Sequence, residues 1–380
     1  MQLPLPEPVL TDLVDPAAPP APLRIGVLTH IQHPIRQPFA GGLEAFTYDI
    51  TRGLQQRGHA VTLFASSASA AELNLVPVWS DDTYVNGARQ RASLAEDYMQ
   101  EHHAYLAVMQ GIDDYGFDII FNNSLHYVPA TMASMIRTPM LTVLHTPPFF
   151  ELINAYGGVR SGARKAGRFC TISAANARAW AELLPDCAVI PNGIDLAHWS
   201  PRGEPGEHAI WFGRLVPDKG AHLAIDAARL AGVPLRLAGQ AVDPGYFAEQ
   251  IAPRLGDGID YLGHLSRHEL VEELARASVA LVTPCWEEPF GLVVAEALAC
   301  GTPVAAFDRG ALADLLDTHT GALAAAGDVP GLAAALLTAR GKSRAACRRH
   351  AEAQWSDALM LTRYEQLLRE VVAQAAVASP

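Results

Sequence analysis

The chain has 380 residues, half of them apolar, which is long enough for two domains with large cores. A formal net charge of −12 argues against nucleic acid as a partner, because binding nucleic acid requires a cationic surface. Five cysteines without Cys-x-x-Cys spacing favour free thiols in a reducing cytoplasm over disulfides or a zinc site.

Residues 1–22 are predicted to form an unfolded tail. They contain seven prolines and show neither helical nor strand periodicity. They also lack the basic region and apolar core of a signal peptide. No apolar run in the chain approaches the roughly 20 residues that span a bilayer. We therefore expect a cytoplasmic protein without a transmembrane segment.

Alternating strands and helices follow this tail. An apolar strand at 23–29 leads through a loop to Gly41 and Gly42, where a helix of about 16 residues is expected to begin. A second helix is predicted at 89–112, and Ser173 is expected to cap a third. The other strands of this series are predicted at 60–65, 117–121, 140–144 and 169–172. Such alternation is typical of a doubly wound parallel sheet.

A second series of the same kind follows an Asn-Gly turn at 192–193. Its strands are predicted near 208–212, 234–238, 259–262, 279–283 and 302–306, with helices between them. A last helix is predicted after Trp355-Ser356, because apolar residues recur at helical spacing, namely Leu361, Tyr364, Leu367, Leu368 and Val371. The fold class predicted from the whole chain is therefore α/β.

The segment 285–301, CWEEPFGLVVAEALACG, carries the strongest chemical pattern. Pro289 is well placed to start a helix, where its missing N–H is no loss, and Gly301 is expected to end it. This helix is apolar on every face except at Glu296, and a buried carboxylate needs hydrogen-bond donors. Glu288 and Glu296 thus flank a helix start whose free N–H groups favour phosphate. The combination suits a nucleotide, although a crossover helix with Glu296 in solvent is the alternative.

Glu288 and Glu296, with seven residues between them and Pro-Phe-Gly after the first, resemble the E-x7-E motif of retaining family-4 glycosyltransferases of the GT-B fold. The resemblance covers about 23–375 and implies two Rossmann-like, doubly wound parallel-sheet domains that face each other across a cleft. It implies that Glu296 binds the ribose hydroxyls of the donor nucleotide and that Glu288 lies at the donor sugar. The amides that would meet the phosphates belong to Phe290, Gly291 and Leu292.

The same resemblance implies how the chain is divided. The N-terminal acceptor domain is expected at 23–190 and the donor domain at 191–355. A C-terminal helix at about 356–376 is expected to cross back to the first domain.

Two cations lie in the first βα turn of the second series. Gly213 allows a tight turn at the strand end, and Arg214 and Lys219 follow at the edge of the sheet where open α/β folds bind ligands. The family pattern here is G-R-x4-K-G, and its cations hold the donor diphosphate. Fixed cations at that position stabilise the charge that grows on the leaving phosphate. Solvated side chains on a loop are the alternative.

Polar residues in the first series are expected to face the same cleft. Gly41 and Gly42 would let backbone amides approach a phosphate or sugar, although a simple helix cap is the alternative. His145 follows a buried strand, and the resemblance implies a histidine near the donor sugar; a structural histidine before the Pro-Pro turn is the alternative. Asn123 and His126, after a neighbouring strand, are candidate acceptor-binding residues.

The loop that contains Leu265 resembles the one that contacts the nucleobase through backbone groups. His264 and His268 are four residues apart, but Ser266 between them is expected to cap a helix, so no metal site is predicted. The acidic pairs Asp81-Asp82 and Asp113-Asp114 lie in polar stretches and are expected to be solvated.

Two basic runs are expected to be solvated helix faces. The first lies where related enzymes recognise acceptors or anionic lipid surfaces, which leaves a phosphorylated acceptor or peripheral membrane contact open. The two runs are Arg160, Arg164, Lys165 and Arg168, and Arg340, Lys342, Arg344, Arg348 and Arg349.

The resemblance implies a retaining, metal-independent hexosyltransferase that needs no cofactor beyond its nucleotide-sugar co-substrate. UDP-glucose is the preferred donor, and the acceptor is a hydroxyl on a small or lipid-linked molecule. A sugar-nucleotide epimerase, a phosphorylase and a non-catalytic nucleotide-sugar-binding protein are the alternatives. A dinucleotide oxidoreductase fits less well, because His-Ile-Gln-His-Pro replaces the expected G-x-G-x-x-G after the strand at 23–29.

Overall fold

The computed structural model describes residues 21–79, 84–85, 88–89, 94–157 and 167–378. Most of the predicted tail, the pair Asp81-Asp82 and the basic residues Arg160, Arg164 and Lys165 lie outside these ranges. No helix within the described ranges is long and apolar enough to cross a membrane.

The first sheet has seven parallel strands in the order β3-β2-β1-β6-β7-β8-β9. The strands of this half are β1 (Arg24–Thr29), β2 (Ala60–Ser66), β3 (Leu75–Trp79), β4 (Tyr84–Val85), β5 (Ala88–Arg89), β6 (Ile119–Asn123), β7 (Met140–Leu144), β8 (Arg168–Thr171) and β9 (Ala188–Val189), with β4 and β5 forming a separate antiparallel pair. The helices are α1 (Gly42–Gln56), α2 (Leu94–Gly111), α3 (Tyr127–Met132), α4 (Phe150–Gly157) and α5 (Ala174–Trp180).

The second sheet has six parallel strands in the order β12-β11-β10-β13-β14-β15. The strands are β10 (Ala209–Phe212), β11 (Leu235–Ala238), β12 (Ile259–Tyr261), β13 (Val279–Val282), β14 (Val304–Phe307) and β15 (Gly321–Ala324). The helices are α6 (Ala221–Ala231), α7 (Pro244–Tyr246), α8 (Arg267–Arg276), α9 (Leu292–Ala299), α10 (Leu312–Leu315), α11 (Val329–Arg340), α12 (Arg344–Gln354) and α13 (Asp357–Ala378). The central strands are buried along their whole length, because helices cover both faces of a parallel sheet.

The last helix, α13, returns to the first domain. Tyr364 is fully buried there, with its ring centroid 5.7 Å from that of Phe46 on α1 and 5.3 Å from that of Phe121 on β6. The chain passes between the domains twice, near Ile194 and near Trp355, and these two segments are hydrogen-bonded to each other. The Ile194 amide donates to the Trp355 carbonyl at 2.8 Å, and the Asp357 amide donates to the Ile194 carbonyl at 3.0 Å. The predicted two-sheet α/β architecture is confirmed.

The predicted start of α9 at Pro289 is wrong. The helix begins at Leu292, and Gly291 is its N-cap with a φ of +97°. A Cβ on Gly291 would lie only 2.6 Å from Cδ2 of Leu312, so space and backbone angle both require glycine. Pro289 and Phe290 therefore lie in a bend before the helix.

The second basic run is not the solvated helix face that its composition suggests. Arg344 donates to the carbonyls of Ala275 and Ala277 at the end of α8, and Arg348 donates to those of Trp199 and Ala299. Carbonyls at helix ends lack N–H donors within the helix, so a guanidinium with five donors satisfies them well. Arg349 is exposed, as predicted.

Asp113 also differs from the predicted solvated surface. Its carboxylate accepts hydrogen bonds from the amides of Arg137 and Thr138 and from the Thr138 hydroxyl at 2.8 Å. These bonds anchor the turn before β7. Asp114 is exposed, as predicted.

Candidate active site

The starts of α1 and α9 meet where the carboxyl edges of the two sheets face each other. A Cβ on Gly42 would lie 2.8 Å from Cδ1 of Leu292, so the absence of a side chain lets the two helices approach. The Ser173 hydroxyl, which caps α5 as predicted, donates to the Pro289 carbonyl at 2.5 Å. Both contacts join the first domain to the predicted E-x7-E segment.

A cavity of about 200 Å³ lies between the two domains at this junction. Five of the predicted site residues line it, namely Gly41, Gly213, Arg214, Leu265 and Glu296. Sequence reasoning missed other parts of its wall, including Phe39 from the loop before α1 and Gln240 after β11. Neither residue belongs to a recognisable motif.

Two glycines shape the floor of this cavity. Gly213 and Gly239 follow β10 and β11 with φ angles of +149° and +152°. A Cβ on Gly239 would run into the carbonyl oxygen of Gly213, so the two strand ends can approach only because Gly239 lacks a side chain. Gly213 was predicted for its turn, whereas Gly239 was missed.

The Glu296 carboxylate faces this cavity, which excludes the alternative of a side chain in bulk solvent. Burial raises its pKa to about 8, against an opposing effect of the Arg267 charge. Among the residues that the structure describes, none donates a hydrogen bond to it. A carboxylate in this setting can accept hydrogen bonds from a bound diol.

Lys219 and Glu288 form a direct ion pair, with Nζ 2.7 Å from Oε2, and neither residue lines the cavity. The Trp286 indole donates to the same oxygen at 3.1 Å, and Lys219 Nζ lies 5.0 Å from the centroid of the Trp286 ring. Trp286 was missed, because a lone tryptophan has no spacing signature. The backbone of Glu288 is fixed by the Ala311 amide, which donates to the Glu288 main-chain carbonyl at 2.8 Å.

Arg214 differs from Lys219 in its surroundings. Its side chain is exposed and lines the cavity, and no described residue forms an ion pair or hydrogen bond with it. The two predicted diphosphate-binding cations therefore lie in different environments: Lys219 is paired with Glu288, whereas the Arg214 side chain is available to bind a ligand.

His145 is buried and pairs with Asn123, its Nε2 lying 2.8 Å from Oδ1. Burial lowers the pKa of His145 to about 3, and the nearby His30 contributes. The ring is therefore neutral at physiological pH. The Asn123 amide nitrogen is buried without a partner among the described residues. The structure thus joins a predicted donor-sugar residue to a predicted acceptor residue.

His126 has a structural role that sequence reasoning did not predict. Its Nδ1 accepts from the Val128 amide at 3.2 Å and caps α3. The ring stacks between Tyr105 and Tyr127, with centroid distances of 4.3 and 4.5 Å. Burial lowers the pKa of His126 to about 4.

An unpredicted pair, His30 and Glu44, lies next to His145. His30 Nε2 is 2.9 Å from Glu44 Oε1, and both side chains are largely buried. Burial raises the pKa of Glu44, but the hydrogen bond and charge of His30, together with a backbone hydrogen bond and the charge of His33, outweigh it, so the pKa lies below its ordinary value. Nothing in the spacing of residues 30 and 44 indicates that they pair.

The described residues contain no group of three or more His, Cys, Asp or Glu side chains placed to hold a metal ion. His264 lines the cavity, whereas His268 lies near Arg202, its Nε2 3.4 Å from the guanidinium. Ser266 between them caps α8 as predicted, with a complete capping box that includes Glu269.

Two family models match the chain. Residues 40–198 match the model described as Glycosyltransferase Family 4, and residues 206–340 match the one described as Glycosyl transferases group 1. Glycogen synthase from Mycobacterium tuberculosis is 29% identical over 358 residues, which cover 81% of this chain and 84% of that protein. A D-inositol 3-phosphate glycosyltransferase from Geodermatophilus obscurus is 26% identical over 398 residues, covering 87% and 86%.

Solved structures share the fold. Sucrose-phosphate synthase from Thermosynechococcus elongatus has a TM-score of 0.73 at 20% identity and covers 92% of this chain and 100% of its own. Anabaena HepE in complex with UDP and glucose has a TM-score of 0.70 at 20% identity, with the same coverage. With both domains matched by family models and arranged around an interdomain cavity, the chain belongs to the group 1, family-4 glycosyltransferases of the GT-B fold.

Proposed function

We propose that this glycosyltransferase moves a hexose from a nucleotide sugar to an acceptor hydroxyl with retention of configuration and without a metal. One observation carries the proposal: a carboxylate suited to a diol, Glu296, shares a cavity with Arg214, and the Lys219–Glu288 ion pair joins the two segments that carry these residues. These groups match the parts of a nucleoside diphosphate sugar in order, from ribose to diphosphate to sugar.

The donor nucleotide is assigned to the interdomain cavity. Glu296 accepts hydrogen bonds from the ribose hydroxyls, and the loop containing Leu265 meets the base through its backbone. Arg214 approaches the diphosphate from the cavity wall, and the amides at the start of α9 approach it from the other side. UDP-glucose is the preferred donor, and the solved HepE complex with UDP and glucose supports this choice.

The reaction follows from the placement of Lys219 and Glu288. As the bond between the sugar and the diphosphate breaks, negative charge grows on the leaving oxygen and positive charge on the sugar ring. Lys219 neutralises the first and Glu288 supports the second. The acceptor hydroxyl attacks from the face that the diphosphate leaves, and the leaving phosphate oxygen takes its proton.

The acceptor is assigned to the edge of the first sheet. Asn123 offers an unpartnered amide there, which suits an acceptor hydroxyl, and His145, which is hydrogen-bonded to Asn123, is assigned to the donor sugar. All five cysteines are free, which fits the cytoplasmic location that we propose.

A donor screen tests this function. The protein is incubated with UDP-glucose, ADP-glucose or GDP-mannose, and release of the nucleoside diphosphate is followed with and without EDTA. We expect slow release from one donor, UDP-glucose first, unaffected by EDTA and abolished in Glu288→Gln. Release of no nucleoside diphosphate from any donor would contradict the proposal and favour a binding protein.

A further inference from the structure

Helix α5 of the first domain contacts both segments that carry the predicted donor-sugar residues. Its N-cap Ser173 and its helical residues Asn176 and Trp180 are three and four positions apart, so they lie along one side of the helix. All three side chains are buried, and each carries a hydrogen-bond donor. Their donors all reach main-chain carbonyls outside the helix.

Two of these bonds fix the main chain on both sides of His145. The Asn176 side-chain amide donates to the Leu144 carbonyl at 2.9 Å, and the Trp180 indole donates to the Thr146 carbonyl at 2.8 Å. Because these carbonyls belong to the residues directly before and after His145, a shift of α5 would shift this histidine as well.

The third bond crosses to the second domain. The Ser173 hydroxyl accepts from the Asn176 main-chain amide at 3.0 Å and donates to the Pro289 carbonyl at 2.5 Å. Pro289 directly follows Glu288 in the chain. One hydroxyl thus connects the helix that holds His145 to the segment that carries Glu288.

Helix α5 is separate from the nucleotide cavity. None of its residues lines that cavity, whose walls come from the loop before α1 and from the second domain. Its other contact with the second domain, Arg178 with Asp314 at 3.2 Å, joins two exposed side chains and should contribute little. The Ser173 bond can therefore affect the sugar end of the site without affecting the nucleotide end.

We propose that Ser173 is a positioning residue for glycosyl transfer: through the Pro289 carbonyl it sets Glu288 relative to His145, so that both residues meet the same donor sugar. The inference rests on the proposed function, since it takes Glu288 and His145 to lie at that sugar. It deepens that function by giving the buried hydroxyl a task in the reaction besides capping a helix.

The task predicts an effect on rate rather than on binding. Groups that stabilise a transition state must be held in register with the reacting atoms, and small displacements lower the rate strongly. The affinity for a nucleoside diphosphate, which lacks the sugar, should not depend on this register.

Three variants separate the bond between the domains from the helix cap. Ser173→Gly removes the hydroxyl but keeps a residue that is also favoured at N-caps. Ser173→Thr keeps both the donor and the cap. Ser343→Gly makes the same substitution at the N-cap of α12, where the hydroxyl accepts from the Ala346 amide of its own helix, and is the matched control.

Donor hydrolysis, thermal unfolding and titration calorimetry with UDP, ADP and GDP are measured for the wild type and each variant. Ser173→Gly should lower kcat about tenfold, the rate equivalent of one hydrogen bond, with little change in KM. Its affinity for the preferred nucleoside diphosphate should equal that of the wild type. Ser173→Thr should regain most of kcat, and Ser343→Gly should have the kcat of the wild type.

The outcomes separate this inference from the proposed function. Wild-type kcat in Ser173→Gly would overturn the role of Ser173 alone. It would also be overturned if kcat and nucleotide affinity fell by the same factor, or if folded Ser173→Thr were as slow as Ser173→Gly. If the wild type hydrolyses none of the donors, the proposed function fails and the inference fails with it.

Discussion

Lys219 Nζ lies 2.7 Å from Oε2 of Glu288, although the two residues are 69 positions apart in the chain. They meet because β10 and β13, which precede them, are neighbours in the second sheet, so their carboxyl ends share one edge. The lysine holds the carboxylate in place. A bound donor diphosphate would share this lysine with Glu288.

Lys219→Ala should lower kcat for donor hydrolysis by more than it raises KM for the donor. The reason is that the lysine meets charge that develops only as the sugar departs. Steady-state kinetics with the best donor of the panel measures both constants. A double-mutant cycle with Glu288→Gln, taken on the free energy of unfolding, measures the coupling of the Lys219–Glu288 ion pair. A rise in KM with kcat unchanged would show that Lys219 binds ground state and transition state equally.

Arg214→Ala should also lower kcat, but without any change in thermal stability. Arg214 is exposed and has no partner within the described ranges, so its removal leaves no group unpaired. Thermal unfolding of the unliganded variant, compared with Lys219→Ala, tests this contrast. A clear loss of stability in Arg214→Ala would mean that its side chain has a structural contact.

Glu296→Ala should weaken binding of the nucleoside diphosphate by about 1.5–3 kcal/mol, the typical cost of losing a charged hydrogen-bond partner. The fold should be little affected, because no described residue depends on this carboxylate for a hydrogen bond. Calorimetry with UDP measures the affinity, and circular dichroism checks the fold. Equal affinities of variant and wild type would remove Glu296 from the donor site.

Gly42→Ala should reduce activity while leaving each domain folded. A Cβ at this position would lie 2.8 Å from Cδ1 of Leu292, so either this side chain or the two helix starts would have to shift. Gly111→Ala is the matched control, because a Cβ there meets nothing within 4 Å. Donor hydrolysis by the two variants is compared with their thermal unfolding. Wild-type activity in Gly42→Ala would show that this close approach is not needed for the reaction.

The protein should lose stability as the pH falls below 6.5, partly because of His145. Its pKa is about 3 in the folded state against an ordinary value of 6.5, so the unfolded state binds more protons between these values. One such histidine contributes about 2 kcal/mol of lost stability between pH 6.5 and pH 5.

Urea unfolding at several pH values measures this effect. His145→Gln should show a shallower dependence of the free energy of unfolding on pH, whereas His319→Gln, which replaces an exposed histidine, should match the wild type. An unchanged dependence in His145→Gln would mean that its ring titrates normally in the folded protein.

Much of the architecture could be predicted because strand and helix periodicities alternate along the chain. The strands β3, β9 and β15 were missed, since they lie at sheet edges and are only partly buried, so they lack the uniformly apolar sequence of the central strands. Pro289 was misplaced at a helix start because its local preference is real, but the left-handed Gly291 two residues later takes over the cap. Local signals thus located the elements better than their ends.

The site residues that could be predicted belong to a spaced motif or a glycine turn, as Glu288, Glu296 and Gly213 do. Trp286 and the His30–Glu44 pair could not, because their significance lies in contacts between distant segments. Arg344 and Arg348 show the same limit. A run of basic residues predicts a solvated surface, and only the structure shows that these two side chains bind carbonyls at the ends of other helices.

The stereochemistry of the released sugar tests the central proposal most directly. UDP-glucose, or the best donor of the panel, is hydrolysed by the enzyme in EDTA, and proton NMR follows the first glucose before its anomers equilibrate. The account predicts that the α-anomer of the donor is retained and that EDTA does not slow the reaction. Initial release of the β-anomer would contradict retention, and loss of the reaction in EDTA would contradict metal independence.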